Sequence, residues 1–364
     1  MPVVYLNARI FTGEQFITGH AVITDNGHIT GVVPVAEIKA DDNVVDLQGA
    51  MLAPALIDLQ IYGGNGLLYS AHPSVEALSA TNDYCRAGGA AHFMITIPTI
   101  SREIMEAAIV MVRTYWQQGG KGLLGLHLEG PFLNEEKKGA HASKYIKVPT
   151  QQDIDWIIQN NDVVKIITMA PENCTPAQIK ALRTAGVVVS GGHSNATYEQ
   201  ATAGFNAGID AATHLFNAMS PLQSRAPGIV GAIYDHDRVC SSVVVDGIHV
   251  DFAAVRISKK IMGQRLFLIT DAVTSSTTGD YQHTLKNGHY ATTAGILSGS
   301  SLTMLKAVHN CVEKVGIPLE EALRMGALYP ARVIGREDVM GRIAPGYQAD
   351  MVVFDDQYQV LHCI

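Results

Sequence analysis

The sequence predicts an α/β fold built around a closed parallel barrel, and three observations carry that prediction. Eight short apolar runs alternate with segments of helical length between Leu56 and Asp271. Their near-continuous apolar character is what parallel strands buried on both faces require, and eight such units close a (β/α)8 barrel rather than an open sheet. Polar and ionisable residues gather at the C-terminal ends of these runs, the end at which such a barrel carries its active site.

The composition is compatible with that fold and excludes several others. The 364 residues, 47% hydrophobic and 16% charged with 34 Gly, leave room for a barrel of roughly 250 residues and an appended unit. They do not describe a disordered, collagen-like or coiled-coil chain. A net charge of −8 provides no overall positive field, so neither nucleic acid nor an anionic lipid surface is expected as a partner. No apolar run approaches the roughly 18 residues of a membrane helix, and the opening Met1-Pro2-Val3-Val4-Tyr5-Leu6-Asn7 lacks the parts of a signal peptide, which points to the cytoplasm. Cys85, Cys174, Cys240, Cys311 and Cys363 are scattered without a CxxC pair and read as reduced thiols.

In chain order, Val3–Leu6, Phe16–Val22, His28–Val33 and Val44–Asp46 read as short strands, with turn chemistry at Asp25-Asn26-Gly27. The barrel strands follow as Leu56–Tyr62, Ala91–Pro98, Gly122–Glu129, Val163–Ala170, Val187–His193, Ala211–His214, Ser241–Asp246 and Leu266–Asp271. Leu302–Val315 and Leu319–Met325 read as helices, and Tyr329-Pro330-Ala331-Arg332 ends that region. The tail from Gly341 to Asp355 returns to turn-plus-strand character. It is expected to join the N-terminal unit, because the termini of a domain commonly lie close together. The expected organisation is a small β unit from 1–50 and 341–364 around a barrel over 51–340, with no internal repeat or flexible linker.

The strand ends carry Gln60 and Tyr62, His127 and Glu129, His193, His214, Asp246 with His249, and Asp271. A lone histidine beside an apolar strand is more often structural than functional. Here one carboxylate and two imidazoles, Glu129, His193 and His214, end separate strands whose ends converge in a closed barrel, which is a catalytic metal set. Three protein ligands leave the fourth position to water, whose pKa such an ion lowers toward about 7. Asp271 is positioned to act as base and then acid; the competing reading is a helix N-cap. Arg225, on the loop after the sixth strand, suits a phosphate or carboxylate, or is an ordinary surface arginine. His141, on the long loop after the third strand, is in reach of a substrate. No GxxxxGK[ST], HExxH or GxGxxG spacing occurs, and Gly192-His193-Ser194-Asn195-Ala196 ends in Ala where a nucleophile elbow wants Gly.

A series of segments then carries a resemblance across essentially the whole chain: Pro54-Ala55-Leu56-Ile57-Asp58, His127-Leu128-Glu129-Gly130-Pro131-Phe132, Gly192-His193-Ser194-Asn195-Ala196 and Thr213-His214-Leu215-Phe216-Asn217-Ala218-Met219. It continues through Asp246-Gly247-Ile248-His249-Val250-Asp251, Thr270-Asp271-Ala272, Leu297-Ser298-Gly299-Ser300, Pro330-Ala331-Arg332 and Ala349-Asp350-Met351-Val352-Val353. In this order they resemble the N-acetylglucosamine-6-phosphate deacetylase family of the amidohydrolase superfamily. The resemblance implies a (β/α)8 TIM barrel with a small β-sandwich domain built from both termini, a homodimer, and hydrolysis of the N-acetyl amide of an amino-sugar 6-phosphate. It places the metal ligands on Glu129, His193 and His214 and the catalytic aspartate on Asp271. Substrate contacts fall on Ala140, His141, Asn217, Ala218, Arg225, His249, Leu297, Ser298 and Gly299, with Arg225 and His249 addressing the phosphate.

One departure bears on the metal count. Many amidohydrolases hold a second metal with His-x-His on the first strand, where this chain has Gln60-Ile61-Tyr62, and Lys165 begins the fourth strand rather than ending it. One divalent ion per chain is therefore expected, Zn2+ first, with Fe2+, Co2+ or Mn2+ as alternatives. Gln60 is expected to bond the nucleophilic water and Tyr62 to line the pocket. The alternative substrate is N-acetylgalactosamine 6-phosphate, and the contrasting class is a non-catalytic binding barrel.

Overall fold

The computed structural model describes residues 2–39 and 42–364. Its main sheet has eight parallel strands, here β1 (Leu56–Ile61), β2 (Ala90–Ile97), β3 (Leu123–Glu129), β4 (Val164–Met169), β5 (Val188–Gly191), β6 (Ala211–Ala212), β7 (Cys240–Val243) and β8 (Leu266–Leu268). Each pairs with the next in sequence. The barrel closes just beyond β8, where Asp271 N donates to Gln60 O at 3.0 Å and Tyr62 N to Ala272 O at 2.9 Å. The residue on which chemistry was expected thus also forms the seam.

Several strands stop earlier than their apolar pattern indicates: the expected Ser241–Asp246 finishes at Val243, and three others share one feature at the residue expected to end them. His193, His214 and Asp271 have φ of +48°, +38° and +53°, a left-handed conformation that ends a pleated strand and is sparsely populated by residues other than glycine. The expected strands ending at those residues therefore finish at Gly191, Ala212 and Leu268. Phe16–Val22 is likewise two strands, Phe16–Ile17 and His20–Asp25, divided at Gly19 with φ +70°. The expected helix Leu302–Val315 is an α-helix over Met304–Asn310 followed by a π-helical turn over Cys311–Val315. Tyr329–Arg332 ends the helical region as expected, and does so inside a last short helix among the described residues, Leu328–Val333.

The tail joins the N-terminal segments as expected. A five-stranded sheet runs Val360–Cys363, Met351–Phe354, Met51–Pro54, Arg9–Phe11, Phe16–Ile17, and a four-stranded one runs His28–Pro34, His20–Asp25, Val3–Leu6, Val44–Asp46. Between them lies a second core that includes Ile10, Val22, Ile29, Leu52, Met351 and Val353. Phe354 turns the other way and is fully buried in the main core, so one strand serves both bodies. A hairpin sheet of Thr284–Lys286, His289–Ala291 and Leu297–Ser300, absent from the sequence reading, follows the β8 end. No helix among the described residues is long and apolar enough to cross a membrane.

Removing the Phe354 side chain leaves a cavity where the terminal strand meets the barrel. Phe354→Ala is expected to cost about 3–5 kcal/mol, read as a lowered denaturant midpoint with an unchanged slope.

Candidate active site

The centre of the site is a carboxylate that burial alone would disfavour. Glu129 is 2% exposed at the end of β3. Its Oε1 lies 3.1 Å from Gln60 Nε2, 2.8 Å from His214 Nε2 and 3.2 Å from His193 Nε2. Its Oε2 accepts from the Tyr62 hydroxyl and lies 3.2 Å from His141 Nε2. Desolvation pushes this carboxyl up, but His141 and the hydrogen bonds from His141 and His214 outweigh it and hold Glu129 well below the usual carboxylate range.

The two kinds of histidine are told apart by their other nitrogen. His193 Nδ1 faces the Lys137 carbonyl at 2.8 Å; a carbonyl only accepts, so Nδ1 carries the proton and Nε2 presents a lone pair. That lone pair looks at His214 Nε2, 3.1 Å away, and at Glu129 Oε1. His141 has the opposite arrangement: Thr99 N donates to its Nδ1 at 3.1 Å, which leaves the proton on Nε2. Burial lowers the pKa of both His141 and His214 and favours the neutral ring. The ligand atoms of Glu129, His193 and His214 all lie within 4.8 Å of one another. A lone-pair nitrogen, a second imidazole and a carboxylate oxygen directed at one point form a donor set that a divalent cation satisfies.

Asp271 stands on the opposite side of Gln60, whose amide nitrogen reaches Asp271 Oδ1 at 2.8 Å as well as Glu129. Burial first, then the negative charges of Glu129, Asp58 and Asp246, raise the Asp271 carboxyl well above its ordinary range. The N-cap alternative fails: the next helix after Asp271 begins only at Met304. His249 Nδ1 is held by Asp246 Oδ2 at 2.6 Å, and its Nε2 lies 3.9 Å from Asp271 Oδ2. His249 therefore sits beside the catalytic carboxylate candidate.

A cavity of about 180 Å3 is lined by Tyr62, Glu129, Ala140, His141, His193, His214, Asn217, Ala218, His249, Asp271, Leu297, Ser298 and Gly299. Gln60 lies buried beneath it. Of the expected site residues only Arg225 is apart, exposed on its loop and outside this lining; the structure does not bring Arg225 and His249 together on one wall. His127 is structural, bonded to Leu59 O at 3.2 Å and Thr168 Oγ1 at 2.7 Å. The sequence reading assigned no role to Asp58, which is fully buried and accepts from Thr270 N at 3.1 Å, Gln60 N at 3.2 Å and the Thr270 hydroxyl. Desolvation pushes Asp58 up to about 6. Its signal was its place two residues before Gln60, but its partner Thr270 is 212 residues away.

Comparison with known proteins agrees with this geometry. The Amidohydrolase family model matches residues 51–363 and the NagA composite domain model residues 5–52. The chain is 38% identical to the N-acetylglucosamine-6-phosphate deacetylase of Haemophilus influenzae, over 98% of this chain and 96% of that protein. It is 32% identical to an N-acetylgalactosamine-6-phosphate deacetylase of a Shewanella species, over 97% and 92%. Among solved structures, the N-acetylglucosamine-6-phosphate deacetylase of Pasteurella multocida superposes with a TM-score of 0.97 at 35% identity, covering 100% of this chain and 98% of that one. An Asp-to-Ala variant of the Mycobacterium smegmatis enzyme, in complex with N-acetyl-D-glucosamine-6-phosphate, superposes with a TM-score of 0.90 at 28% identity, covering 100% and 97%.

Glu129→Gln, which keeps the shape but removes the charge, is expected to lower bound divalent metal from about one ion per chain to a small fraction, measured by elemental analysis of the purified protein. His193→Ala is expected to do the same.

Proposed function

We propose, from the premise that this chain belongs to the amidohydrolase family, that it hydrolyses the N-acetyl group of N-acetylglucosamine 6-phosphate to acetate and glucosamine 6-phosphate. The chain is an amino-sugar phosphate deacetylase of that family. The observation that carries the reading is the convergence of Glu129, His193 and His214 on one point, with Asp271 held beside it by Gln60.

Glu129, His193 and His214 would hold the divalent cation, for which we propose zinc. When bound, such an ion lowers the pKa of water and polarises a carbonyl oxygen. Asp271 accepts the proton of the attacking water and returns it to the sugar nitrogen, which leaves as an amine. Burial and the neighbouring carboxylates raise its pKa, which makes it a stronger base when ionised and a readier proton donor when protonated. Gln60 sets the spacing of Glu129 and Asp271 by donating to both. With Glu129 committed to the cation, His141, whose proton Thr99 N fixes on Nε2, would turn that N–H from Glu129 to the acyl oxygen as negative charge develops there. His249, tied to Asp246, orients Asp271 or a sugar hydroxyl near it.

We further propose a homodimer. Arg225 is exposed outside the cavity of the single chain, where its guanidinium is available to a phosphate shared between two copies.

The test is acetate release from N-acetylglucosamine 6-phosphate and N-acetylgalactosamine 6-phosphate in parallel. A higher kcat/KM for the first is expected; a preference for the second reassigns the substrate. Asp271→Asn is expected to retain metal and bind substrate while kcat falls by about 10²–10⁴; full turnover in that variant removes the acid/base role. Chelation is expected to abolish acetate release and readdition of zinc to restore it.

A further inference from the structure

The main cavity has a side branch. A second cavity of about 40 Å3 shares Tyr62, Glu129, Ala140, His141 and Ser298 with it. Beyond these, its walls include Leu68, Pro98, Val273 and Tyr281. Ser70 and His283 also line it; the His283 ring bonds Ser298 Oγ through Nδ1 at 2.9 Å and is pushed down to about 4 by burial, so it is neutral at physiological pH. The branch is small, mostly apolar and next to the reacting centre.

Amide hydrolysis requires the acyl carbon to stand at that centre with its two substituents pointing apart. One is the nitrogen with its sugar phosphate, which only the branch of about 180 Å3 accommodates. The other is the group attached to the carbonyl. We propose that the side cavity receives this acyl substituent and limits the length of acyl chain the enzyme removes, with Leu68, Val273 and Tyr281 as the limiting walls. The proposal rests on the deacetylase reading above and assigns these residues to acyl specificity. About 40 Å3 holds one or two carbon atoms. Acetyl enters; butyryl does not.

A size limit needs walls that do not yield, and each is fixed by the backbone. The Tyr281 hydroxyl donates to Thr99 O and accepts from Ala142 N at 3.2 Å, which pins the ring across two loops. Val273 N donates to Ser300 O at 3.1 Å, and its side chain packs against Gly299, where an added Cβ would come within 2.6 Å of Val273 Cγ1. Leu68 pairs with Gly63 in a two-residue hairpin ladder, continued by Tyr69 N to Tyr62 O at 3.0 Å. Close-packed walls of this kind transmit an extra methylene as strain rather than absorbing it.

The experiment is an acyl series on glucosamine 6-phosphate, from N-formyl through N-acetyl and N-propionyl to N-butyryl, with metal content measured alongside. The wild-type enzyme is expected to lose at least about 100-fold in kcat/KM from acetyl to butyryl, since one methylene in a tight apolar pocket is worth about 10–200-fold. Val273→Ala and Leu68→Ala, on different elements, are each expected to raise the butyryl-to-acetyl ratio at least about tenfold with metal content unchanged. Val273→Leu is expected to depress acetyl turnover while sparing formyl, whose hydrogen needs no room. Butyryl hydrolysis equal to acetyl in the wild type, or an unchanged ratio in both enlarged variants, overturns the proposal. Absence of acetyl hydrolysis in metal-loaded wild type overturns the deacetylase reading, and this proposal with it, before any variant is made.

Discussion

The structure around the active site depends on ionising a carboxylate at the centre of a barrel. An isolated buried carboxylate is so costly that it normally takes up a proton instead. Glu129 stays ionised because Gln60, Tyr62, His141 and His214 direct donors at its two oxygens, while the His193 lone pair faces with Glu129 the point a cation would fill. Those partners come from the ends of β1, β5 and β6 and from the loop after β3. Only a closed barrel brings such distant segments to one point. The closure itself is made by the backbone of Gln60 and Asp271, so the seam and the site are one piece of structure.

The same packing explains the backbone conformations. His193, His214 and Asp271 all leave their strands in the left-handed region, and all three surround Glu129 or its partner Gln60. Such conformations persist only where surrounding contacts over-determine them, and they concentrate at functional sites. Here the turn aims each side chain across the barrel mouth rather than along its wall. Asp58, below this layer, fixes the Gln60 and Thr270 backbones from one carboxylate and so sets the height at which Gln60 and Asp271 face each other.

Much of this was legible in the sequence because barrel topology converts a one-dimensional rule into a three-dimensional one. Polar residues at the ends of apolar runs must converge, and Glu129, His193, His214 and Asp271 were found by that rule alone. Gln60 and Tyr62 were also legible, by their position where a second metal's histidines would stand, and they occupy that ground as hydrogen-bond donors to Glu129. The precise strand ends were not legible, since the apolar pattern runs past the point where φ changes sign. Nor was the role of Asp58, whose decisive partner is 212 residues distant, or the walls supplied by Tyr281 and His283, which lie beyond the barrel just before a hairpin sheet with weak alternation. Arg225 was legible as a loop residue after the sixth strand, but its distance from the cavity was not, because the loop rather than a strand sets it.

The claim on which the rest stands is that one cation is held by two imidazoles and a carboxylate, with Gln60 and Tyr62 excluding a second. X-ray absorption at the metal edge of zinc-loaded protein tests this most directly. The account predicts nitrogen and oxygen scatterers at about 2.0–2.2 Å including two imidazoles, with no sulfur and no neighbouring metal. A sulfur shell at about 2.3 Å, or a second metal at about 3.5–4 Å, would contradict it.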